Sequence, residues 1–458
     1  MIEFEGKNVL VMGLGLNQGG LGVARYIASK GAHVIVTDLK TRDDLRETMD
    51  SMENDESLQS VEFVLGEHLE SDVDWADWVV KNPAVPVESK YIQYAYEKNI
   101  PVITEFEIFF DVLKGRGGIT TIGVTGTRGK STTTALIYHL LRNVQETPVY
   151  LVGNIRKSAL EILDDLPEKA LICMEMSSFQ LELLKSSPDI AVFTSFFPDH
   201  LNRHHTMEEY LVAKSHIFLY QRPGGRLIVN DDNHYLHHHL AAPLTTKVFK
   251  ISSEHEDADY QLGKALTFDE LPLMNVSDIP VPGSHNEMNA ALAVAAVHQV
   301  LEDDYDAQKV SEALQSFQGL PGRQEYVGTV NGVRYINDTT STMPDALVTA
   351  LKAFQDDSIV LIVGGNDKGL DYSLINPVAS EARLKKVLLT PGSAGQKLKE
   401  VFEEVEEVDS SREAFSRATE IAENGDVVLF SPAATSFGEF RHEFDRGDKF
   451  CEYVEGIK

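Results

Sequence analysis

A glycine-rich segment combines the residue types that hold phosphate. It runs Ile119-Thr-Thr-Ile-Gly-Val-Thr-Gly-Thr-Arg-Gly-Lys-Ser-Thr132, a pattern typical of a strand, a turn and the start of a helix. Gly126 and Gly129 would let backbone N–H groups approach phosphate oxygens, because neither residue carries a Cβ. Lys130 would add a positive charge, and the Ser131 hydroxyl could bind Mg²⁺. The segment predicts ATP binding by Gly126, Thr127, Arg128, Gly129, Lys130, Ser131 and Thr132.

The strict phosphate-loop pattern is not met, because Val124 stands where its first glycine should be. A glycine turn that only joins a strand to a helix is the alternative for these residues. The apolar run before the loop, the sequence Gly129-Lys-Ser131 and the helix expected from Thr132 to about Leu141 favour nucleotide binding. The positive end of the helix dipole would point at the phosphates.

Short apolar runs rich in β-branched residues alternate with helix-like segments along the chain. The runs are Val9–Met12, Val34–Thr37, Ile119–Val124, Ala191–Thr194, Leu227–Asn230, Ile359–Val363 and Val427–Phe430. Continuous apolar runs of this length suit strands that are buried on both faces of a parallel sheet. The alternation therefore predicts an α/β protein with several doubly wound domains.

Two interruptions divide the chain. One lies near residues 101–105, before an amphipathic stretch, and the other near residues 319–322, where Gly-Leu-Pro-Gly ends a helical pattern. The chain is also too long for a single ordinary hydrophobic core. We therefore predict three domains that comprise residues 1–104, 105–319 and 320–458.

The first of these domains carries a partial dinucleotide-binding pattern. Gly13 and Gly15 follow the first apolar run, and Asp38 follows the second, where it could bind a ribose hydroxyl. Gln18 stands where the third glycine of the pattern belongs. Taken alone, the fragment would suggest an oxidoreductase that binds NAD(P), and it leaves Lys130 without a role.

Composition narrows the class of partner. The chain has 71 acidic and 41 basic residues and a formal net charge of −30. Such a surface repels nucleic acid and anionic membranes, so we expect neither as a partner. No apolar stretch is long enough to cross a membrane, and the start lacks a secretion signal. Cys173 and Cys451 allow no disulfide framework. We expect a cytoplasmic enzyme.

Further segments resemble the Mur ligase superfamily, whose nucleotide loop departs from the strict pattern in the same way. They occur in the expected order over nearly the whole chain: Gly153-Asn-Ile155, Glu175-Met-Ser-Ser-Phe-Gln-Leu-Glu182, Pro198-Asp-His-Leu-Asn-Arg-His204, Tyr210-Leu-Val-Ala-Lys214, Gly283-Ser-His-Asn-Glu-Met-Asn289, Gly319-Leu-Pro-Gly-Arg323, Ile336-Asn-Asp338, Ser431-Pro-Ala-Ala-Thr-Ser-Phe437 and Phe444-Asp-Arg-Gly447. The second and the last two are most similar to the glutamate-adding members of the superfamily.

The resemblance implies a fold and an activity. The fold would be a Rossmann-like UDP-binding domain, a central P-loop-type ATPase domain and a Rossmann-like glutamate-binding domain. The activity would be ATP-dependent addition of D-glutamate to UDP-N-acetylmuramoyl-L-alanine through an acyl phosphate, in peptidoglycan precursor synthesis. Addition of L-glutamate is the alternative. A monomer with Mg²⁺ as cofactor is expected.

The resemblance also assigns site residues. The catalytic residues would be Lys130, Glu175, His200 and Lys214. The Mg²⁺ ligands would be Ser131, Glu175, His200 and Lys214, if Lys214 is carbamylated. ATP would also contact Asn286, Asn289, Arg323 and Asp338. The UDP-linked substrate would contact Leu16, Asn17, Asp38, Lys40, Asn82 and Asn154. Glutamate would be bound by Thr342, Lys368 and Ser436.

The chain departs from the family pattern at several positions. Thr340 replaces a lysine, Gly322 replaces a histidine and Asn202 replaces an aspartate. The run Arg441-His-Glu-Phe-Asp445 stands where an Asn, an aromatic residue and a Glu are usual. These changes leave the stereochemistry of the glutamate open.

Other interpretations of the sequence remain open. A folylpolyglutamate-synthase-like ligase would need a different first domain or acceptor site. A P-loop ATPase or kinase would turn over ATP without a UDP-sugar, and this interpretation gives no role to the first domain, which contains Asp38. A histidine cluster, His234, His237, His238 and His239, could suggest a metal site, but we expect it to be exposed helix surface.

Overall fold

A computed structural model of the chain describes residues 2–15, 19–50, 52, 55–154, 158–239, 246–280, 283–436 and 438–457. The chain forms two compact units, one made of residues 1–278 and 288–314 and the other of residues 279–287 and 315–458. None of the helices in the described ranges is both long enough and apolar enough to cross a membrane.

The first sheet is fully parallel, with five strands in the order β3-β2-β1-β4-β5. Its strands are β1 (Asn8–Met12), β2 (His33–Asp38), β3 (Glu62–Leu65), β4 (Trp78–Lys81) and β5 (Val102–Ile103). Its helices are α1 (Gly19–Ser29), α2 (Arg46–Asp50), α3 (Glu70–Trp75) and α4 (Lys90–Glu97). The strand order reverses between β1 and β4, and ligands of such sheets bind beyond the carboxyl ends of the strands at that point.

The central sheet has nine strands in the order β14-β13-β12-β11-β10-β9-β6-β8-β7. They are β6 (Ile119–Thr125), β7 (Val149–Gly153), β8 (Ala170–Glu175), β9 (Ile190–Phe193), β10 (Arg226–Asn230), β11 (Lys247–Ser252), β12 (Tyr260–Leu262), β13 (Ala265–Phe268) and β14 (Leu271–Asn275). The helices between residues 105 and 315 are α5 (Glu105–Leu113), α6 (Lys130–Val144), α7 (Ser178–Leu181), α8 (Leu201–His204), α9 (Met207–Leu219), α10 (His234–His239), α11 (Ser284–Leu301) and α12 (Ala307–Gln315). Strands β6 to β12 pair in parallel, and β13 and β14 are antiparallel additions at one edge.

The third sheet has six strands in the order β15-β16-β20-β17-β18-β19. They are β15 (Glu325–Val330), β16 (Val333–Asn337), β17 (Ile359–Gly364), β18 (Leu384–Thr390), β19 (Val405–Glu407) and β20 (Val427–Phe430). Its helices are α13 (Pro344–Ala353), α14 (Asn376–Glu381), α15 (Gly395–Val401), α16 (Ser411–Ile421) and α17 (Glu443–Glu455). Only β15 is antiparallel to its neighbour. Apolar clusters cover both faces of the sheet.

The sequence-based prediction of an α/β protein is confirmed, and every apolar run named above is a strand or overlaps one. One difference concerns the helix after the glycine loop, which begins at Lys130 rather than Thr132 and extends to Val144. The earlier start places Lys130 and Ser131 on the first helical turn. The first and central sheets share a continuous core, which explains why they fall in one compact unit.

Gly20 makes the close helix-to-strand contact that the third glycine of the dinucleotide-binding pattern normally makes. A Cβ on Gly20 would lie 2.3 Å from the Gly13 carbonyl oxygen and 2.8 Å from the Leu14 Cα. The Gly20 amide also donates to the Leu14 carbonyl oxygen at 3.1 Å. Helix α1 therefore approaches the β1 turn at a distance that only glycine permits.

We expect Gly20→Ala to destabilise the first domain by about 1–3 kcal/mol, since the added methyl group meets backbone atoms that cannot rotate away. Urea unfolding followed by tryptophan fluorescence measures this change, because both tryptophans, Trp75 and Trp78, belong to the first sheet region. The matched control is Gly19→Ala, whose Cβ would meet only the Asn82 amide at 3.9 Å. Equal stability of the two variants would contradict this account of Gly20.

Candidate active site

The glycine loop lies between strand β6 and helix α6 in a conformation that requires glycine. Gly126 and Gly129 have φ values of 153° and 82°. A Cβ on Gly126 would lie 2.0 Å from the Thr194 hydroxyl, and one on Gly129 would lie 2.3 Å from the Asn289 side-chain oxygen. Backbone amides at such a loop, followed by a helix N-terminus, form an anion site.

Two residues that sequence reasoning missed hold this loop in place. The Ser195 hydroxyl accepts from the Arg128 amide and donates to the Arg128 carbonyl oxygen, each at 3.0 Å. The Thr194 hydroxyl donates to the Thr125 carbonyl oxygen at 3.2 Å. Both residues follow β9, which neighbours β6, so the only sequence signal was a polar pair at the end of an apolar run.

Two lysines converge on the loop. The Lys130 ammonium group donates to the carbonyl oxygens of Gly126 and Thr127, each at 3.0 Å. The buried Lys214 ammonium group, on α9, donates to the same Gly126 oxygen at 2.8 Å. Burial holds the pKa of Lys214 well below its usual range, and the charge of Lys130 lowers it further. The positive charge at the loop therefore lies mainly on Lys130, where it favours an anion, and burial favours the neutral form of Lys214.

Glu175 ends strand β8, directly beside the loop strand. Its side chain is buried, and one carboxylate oxygen accepts from the Asn154 amide at 2.9 Å, whereas the other has no hydrogen-bond partner among the described residues. An unpartnered buried carboxylate oxygen is costly unless a ligand fills the gap. It is also the type of donor that Mg²⁺ prefers. The residue fits a metal-binding role.

His200 lies in the loop after β9 and begins helix α8. Its φ of 53° places a non-glycine residue in the left-handed region, a strain that clusters at functional sites. Burial lowers the pKa of His200, and the charges of Lys214 and Lys130 add to this, whereas Asp199 opposes it. A neutral imidazole, able to bind a metal, is therefore favoured.

The other residues predicted to contact the nucleotide are divided between the two units. The first unit contains Thr127, Arg128, Ser131, Thr132 and Asn289, and the second contains Asn286, Arg323 and Asp338. The Asn289 oxygen accepts from the Thr133 hydroxyl at 3.4 Å, which places Asn289 beside the first turn of α6. Thr127, Ser131 and Thr132 are partly exposed around the loop. Arg128 lies over the Phe197 ring at 5.7 Å. Asn286 is buried at the start of α11.

Three of the residues predicted to contact the UDP-linked substrate are Asp38, Lys40 and Asn82. They lie at or just after the ends of β2 and β4, near the point where the strand order of the first sheet reverses. The Asp38 carboxylate accepts from the amides of Leu14, Gly15 and Lys40 at 2.9–3.1 Å, so it fixes the turn after β1. Asn82 follows β4 and lies close to Gly13. The Lys40 side chain is exposed.

The other three predicted contacts of the UDP-linked substrate are Leu16, Asn17 and Asn154. Leu16 and Asn17 lie outside the described residues. Asn154 belongs to the central sheet, where it donates to Glu175. It therefore joins the loop after β7 to the candidate metal ligand on β8.

The three predicted glutamate contacts lie at the carboxyl ends of adjacent parallel strands, β16, β20 and β17. The Lys368 ammonium group donates to the Thr342 hydroxyl at 3.3 Å. The loop of Lys368 is tied to that of Ser436 by paired backbone bonds between Asn366 and Thr435. The Ser436 hydroxyl is buried and has no hydrogen-bond partner within the described ranges, so it is available to a ligand.

Asp338 follows β16 and is buried in the second unit. It accepts from the Ser431 hydroxyl at 2.6 Å and from the Gln324 amide at 3.1 Å. Burial raises the pKa of Asp338 to about 7, although these hydrogen bonds and the charge of the exposed Arg323 oppose the shift. A charged ligand nearby would therefore change the protonation state of this carboxyl group at neutral pH.

Two departures from the family pattern contact each other. The Thr340 hydroxyl donates to the Gly322 carbonyl oxygen at 2.7 Å, and its amide donates to the same oxygen at 3.0 Å. A Cβ on Gly322, which has a φ of 71°, would lie 2.8 Å from the Thr340 methyl group. The two positions that depart from the family pattern therefore lie in direct contact.

The histidine cluster is only partly the exposed surface that the sequence predicts. His237 lies 3.1 Å from the buried Asp231 carboxylate, and its ring stacks on that of His255 at 4.5 Å. These three residues could approach one ion. However, the Lys250 ammonium group already neutralises Asp231 at 3.1 Å. Stacked imidazoles also cannot both direct in-plane nitrogens at one ion without rotating.

Three domain families match the chain in order. They are the Mur ligase MurD-like N-terminal domain at residues 7–104, the Mur ligase middle domain at residues 124–297 and the Mur ligase glutamate ligase domain at residues 322–434. The chain belongs to the Mur ligase family. It is therefore an ATP-dependent ligase that forms a carbon–nitrogen bond, and the prediction of this class is confirmed.

Curated relatives cover the whole chain. A UDP-N-acetylmuramoylalanine--D-glutamate ligase from Roseiflexus sp. is 39% identical and covers 100% of both chains. The enzyme of the same name from Clostridioides difficile is 31% identical with the same coverage, and that from Borreliella burgdorferi is 33% identical over 99% of each chain. The resemblance to the glutamate-adding members is thus confirmed at full length.

Solved structures share the fold. The UDP-N-acetylmuramate-alanine ligase of Thermotoga maritima has a TM-score of 0.60 at 21% identity, and the match covers 99% of this chain and 100% of that one. A MurF ligase from the same organism, solved in complex with ADP, has a TM-score of 0.61 at 19% identity and coverages of 99% and 96%. At these identities the likeness supports the three-sheet fold alone.

The raised pKa of Asp338 predicts how stability depends on pH. Because the folded protein binds this proton more tightly than the unfolded chain, the contribution of Asp338 to the free energy of unfolding falls as pH rises from about 4 to about 7. Asp338→Asn removes the penalty. We expect it to stabilise the second unit more at pH 8 than at pH 5, by about 1–3 kcal/mol.

Hydrogen exchange of the β16 and β20 amides, corrected for intrinsic rates, measures this difference within the second unit. The control is Asp356→Asn, an exposed carboxylate in the same unit. It should change protection equally at both pH values. A pH-independent effect of Asp338→Asn would show that the buried carboxyl group does not titrate in this range.

Proposed function

We propose that the enzyme joins the amine of D-glutamate to the carboxylate of UDP-N-acetylmuramoyl-L-alanine, using ATP, in peptidoglycan precursor synthesis. The observation that carries the proposal is the glycine loop with two converging lysines beside an unpartnered Glu175 oxygen. Full-length relatives named for this reaction support the choice of substrates.

The chemistry explains why these groups are needed. The alanyl carboxylate attacks the γ-phosphorus of ATP and ADP leaves, which gives an acyl phosphate. The glutamate amine then attacks the acyl carbon, loses a proton, and expels phosphate. Each step brings anions together in line, so the protein must neutralise charge and align the reactants.

We assign the neutralising role to the loop and its lysines. The amides of Gly126 to Ser131 and the start of α6 would bind the β- and γ-phosphates. The Lys130 ammonium group would leave the Gly126 and Thr127 carbonyl oxygens for phosphate oxygens. Thr127, Arg128 and Thr132 would line the same nucleotide site, with Asn286 and Asn289 near the base and Arg323 and Asp338 near phosphate and ribose.

Mg²⁺ would be held by Ser131, Glu175, His200 and a modified Lys214. When bound, Mg²⁺ neutralises charge on the phosphate oxygens that the substrate carboxylate must approach. The partnerless Glu175 oxygen and the neutral form favoured for His200 support this set. Lys130, Glu175, His200 and Lys214 would together be the catalytic residues.

Lys214 cannot ligate a metal as an ammonium ion. Burial favours its neutral amine, and a neutral amine attacks CO2 through nitrogen and loses a proton, which yields a carbamate anion. The carbamate would offer an oxygen to Mg²⁺ and reverse the charge beside Lys130. We propose that Lys214 is carbamylated in the active enzyme.

The substrate sites follow the three predicted domains, with boundaries after residues 104 and 319. The UDP-linked substrate would contact the turn after β1 with Leu16 and Asn17, then Asp38, Lys40, Asn82 and Asn154. Glutamate would lie against Lys368, whose ammonium group can pair with a carboxylate, with Thr342 and Ser436 orienting the other end. We place this reaction in the cytoplasm, where ATP is available, and propose a monomer.

L-Glutamate is the second candidate substrate. The observation that favours it is the run Arg441-His-Glu-Phe-Asp445, which includes Glu443 and stands where an Asn, an aromatic residue and a Glu are usual. A carboxylate near the glutamate site would repel one of the two carboxylates of the substrate. The other enantiomer would then present its carboxylates differently.

Phosphate release from ATP with Mg²⁺ and UDP-N-acetylmuramoyl-L-alanine tests the proposal, with D-glutamate or L-glutamate in separate reactions. We expect release with D-glutamate only and an amide product of the expected mass. UDP-N-acetylmuramate without alanine is the control and should give none. Release with L-glutamate alone would reverse the stereochemistry, and release with neither would overturn the glutamate assignment.

The carbamate predicts a dependence on CO2. In CO2-depleted buffer we expect Mg²⁺-dependent turnover to fall at least about tenfold and to recover on addition of bicarbonate. With ¹³C-bicarbonate, NMR should show a carbamate carbon signal that Lys214→Gln removes. Lys185→Gln, at an exposed lysine of the central domain, should keep both signal and turnover. A signal that survives in Lys214→Gln would place the carbamate elsewhere.

A further inference from the structure

A buried charge cluster joins the first sheet to the central sheet. It consists of Lys81 at the end of β4, Glu182 just after α7 and Arg203 on α8. One Glu182 carboxylate oxygen accepts from the Lys81 ammonium group at 2.7 Å and from the Arg203 guanidinium group at 3.0 Å. The three side chains are 0%, 10% and 15% exposed, respectively. Two cations thus share one carboxylate away from water.

The cluster holds the backbone of one short segment, residues 82–85. The Lys81 ammonium group donates to the Val85 carbonyl oxygen at 2.9 Å and approaches that of Asn82 at 3.4 Å. The Arg203 guanidinium group donates to the carbonyl oxygens of Pro83, Ala84 and Val85 at 3.0–3.4 Å. Every carbonyl group from Asn82 to Val85 is therefore contacted by at least one of the two cations, and that of Val85 by both.

The other side of the cluster belongs to the catalytic region of the central sheet. Glu182 follows Glu175 by one short helix, α7, whose first turn is fixed by a reciprocal Ser177 and Gln180 cap. The Phe179 ring packs against Arg203 at 4.9 Å and against His200 at 4.9 Å. The cluster therefore connects the segment after β4 to the two turns that carry the candidate metal ligands.

A buried cluster of this kind is poor evidence for a purely stabilising role. Desolvating three charges is expensive, and an apolar set of similar volume would often be as stable. Such groups are retained more readily where a defined geometry is needed. By contrast, the Lys30–Asp164 ion pair also joins the first domain to the central one, but its side chains are 35% and 64% exposed. In the described part of the chain, this ion pair makes no comparable set of backbone bonds.

We propose that Glu182 is a positioning residue for the UDP-linked substrate. Held between Lys81 and Arg203, it fixes the Asn82–Val85 segment, and with it the substrate carboxylate, relative to the phosphate loop. This inference rests on the proposed function, which places the UDP-linked substrate against Asn82. Glu182 itself touches neither substrate nor ATP in this role.

The test separates positioning from folding by comparing kinetic constants. In Glu182→Gln we expect KM for UDP-N-acetylmuramoyl-L-alanine to rise at least about tenfold, because small displacements of a bound reactant carry large costs. KM for ATP and for D-glutamate should stay within about threefold. Loss of folded enzyme alone would lower kcat and leave all three KM values unchanged.

Two further variants make the result decisive. Asp164→Asn removes the exposed ion pair between the same domains and should leave every constant unchanged. Lys81→Met with Glu182→Gln keeps the net charge of the cluster, so it should fold even if Glu182→Gln alone does not. It should retain the raised KM for the UDP-linked substrate, measured also as weaker equilibrium binding without ATP.

The outcomes distinguish the two proposals. An active wild-type enzyme whose Glu182 variants bind the UDP-linked substrate normally would overturn the positioning role alone. The same follows if all three KM values rise together, or if Asp164→Asn has the same effect. A wild-type enzyme that releases no phosphate with either glutamate would overturn the proposed function, and the positioning role with it.

Discussion

Two lysine side chains that donate to one carbonyl oxygen, that of Gly126, are the contact on which the rest of the site depends. A positive charge on both Lys130 and Lys214 would be repulsive, and burial strengthens the repulsion, so the pKa of Lys214 is held well below its usual range. A neutral or modified Lys214, or an anion bound beside Lys130, relieves this repulsion. In a chain with a net charge of −30, attraction of nucleotides has to be local in this way.

Parallel sheets explain how such a site is assembled. Strand β6 lies between β8 and β9, so the glycine loop, Glu175 and the loop of His200 all leave the sheet at the same edge. The same rule brings Thr342, Ser436 and Lys368 together after β16, β20 and β17. Each sheet thus collects polar groups at its carboxyl edge while its apolar strands form the core. The segment after β4 follows this rule in the first sheet.

Much of this could be predicted from the sequence, because it depends on local patterns. Apolar runs predicted the strands, and the spacing of the glycines, the lysine and the serine predicted the phosphate loop. The contact between Gly322 and Thr340 could not be predicted, since the two residues meet only through the folded turn before β15. The contact between His237 and Asp231 could not be predicted either, because the sequence does not show which face of a short helix packs inward.

The first domain shows why a motif read by spacing alone misleads. Gln18 breaks the spacing of the dinucleotide pattern, yet Gly20 makes the close helix-to-strand contact that the third glycine of that pattern normally makes. Asp38, which would bind a ribose in a dinucleotide enzyme, also accepts from the amides of the turn after β1. The sheet and its glycines are thus retained while the carboxylate supports the turn from within. A rigid turn of this kind holds the neighbouring groups of the proposed substrate site in defined positions, and the position of Asn82 depends in turn on the cations that cap its segment.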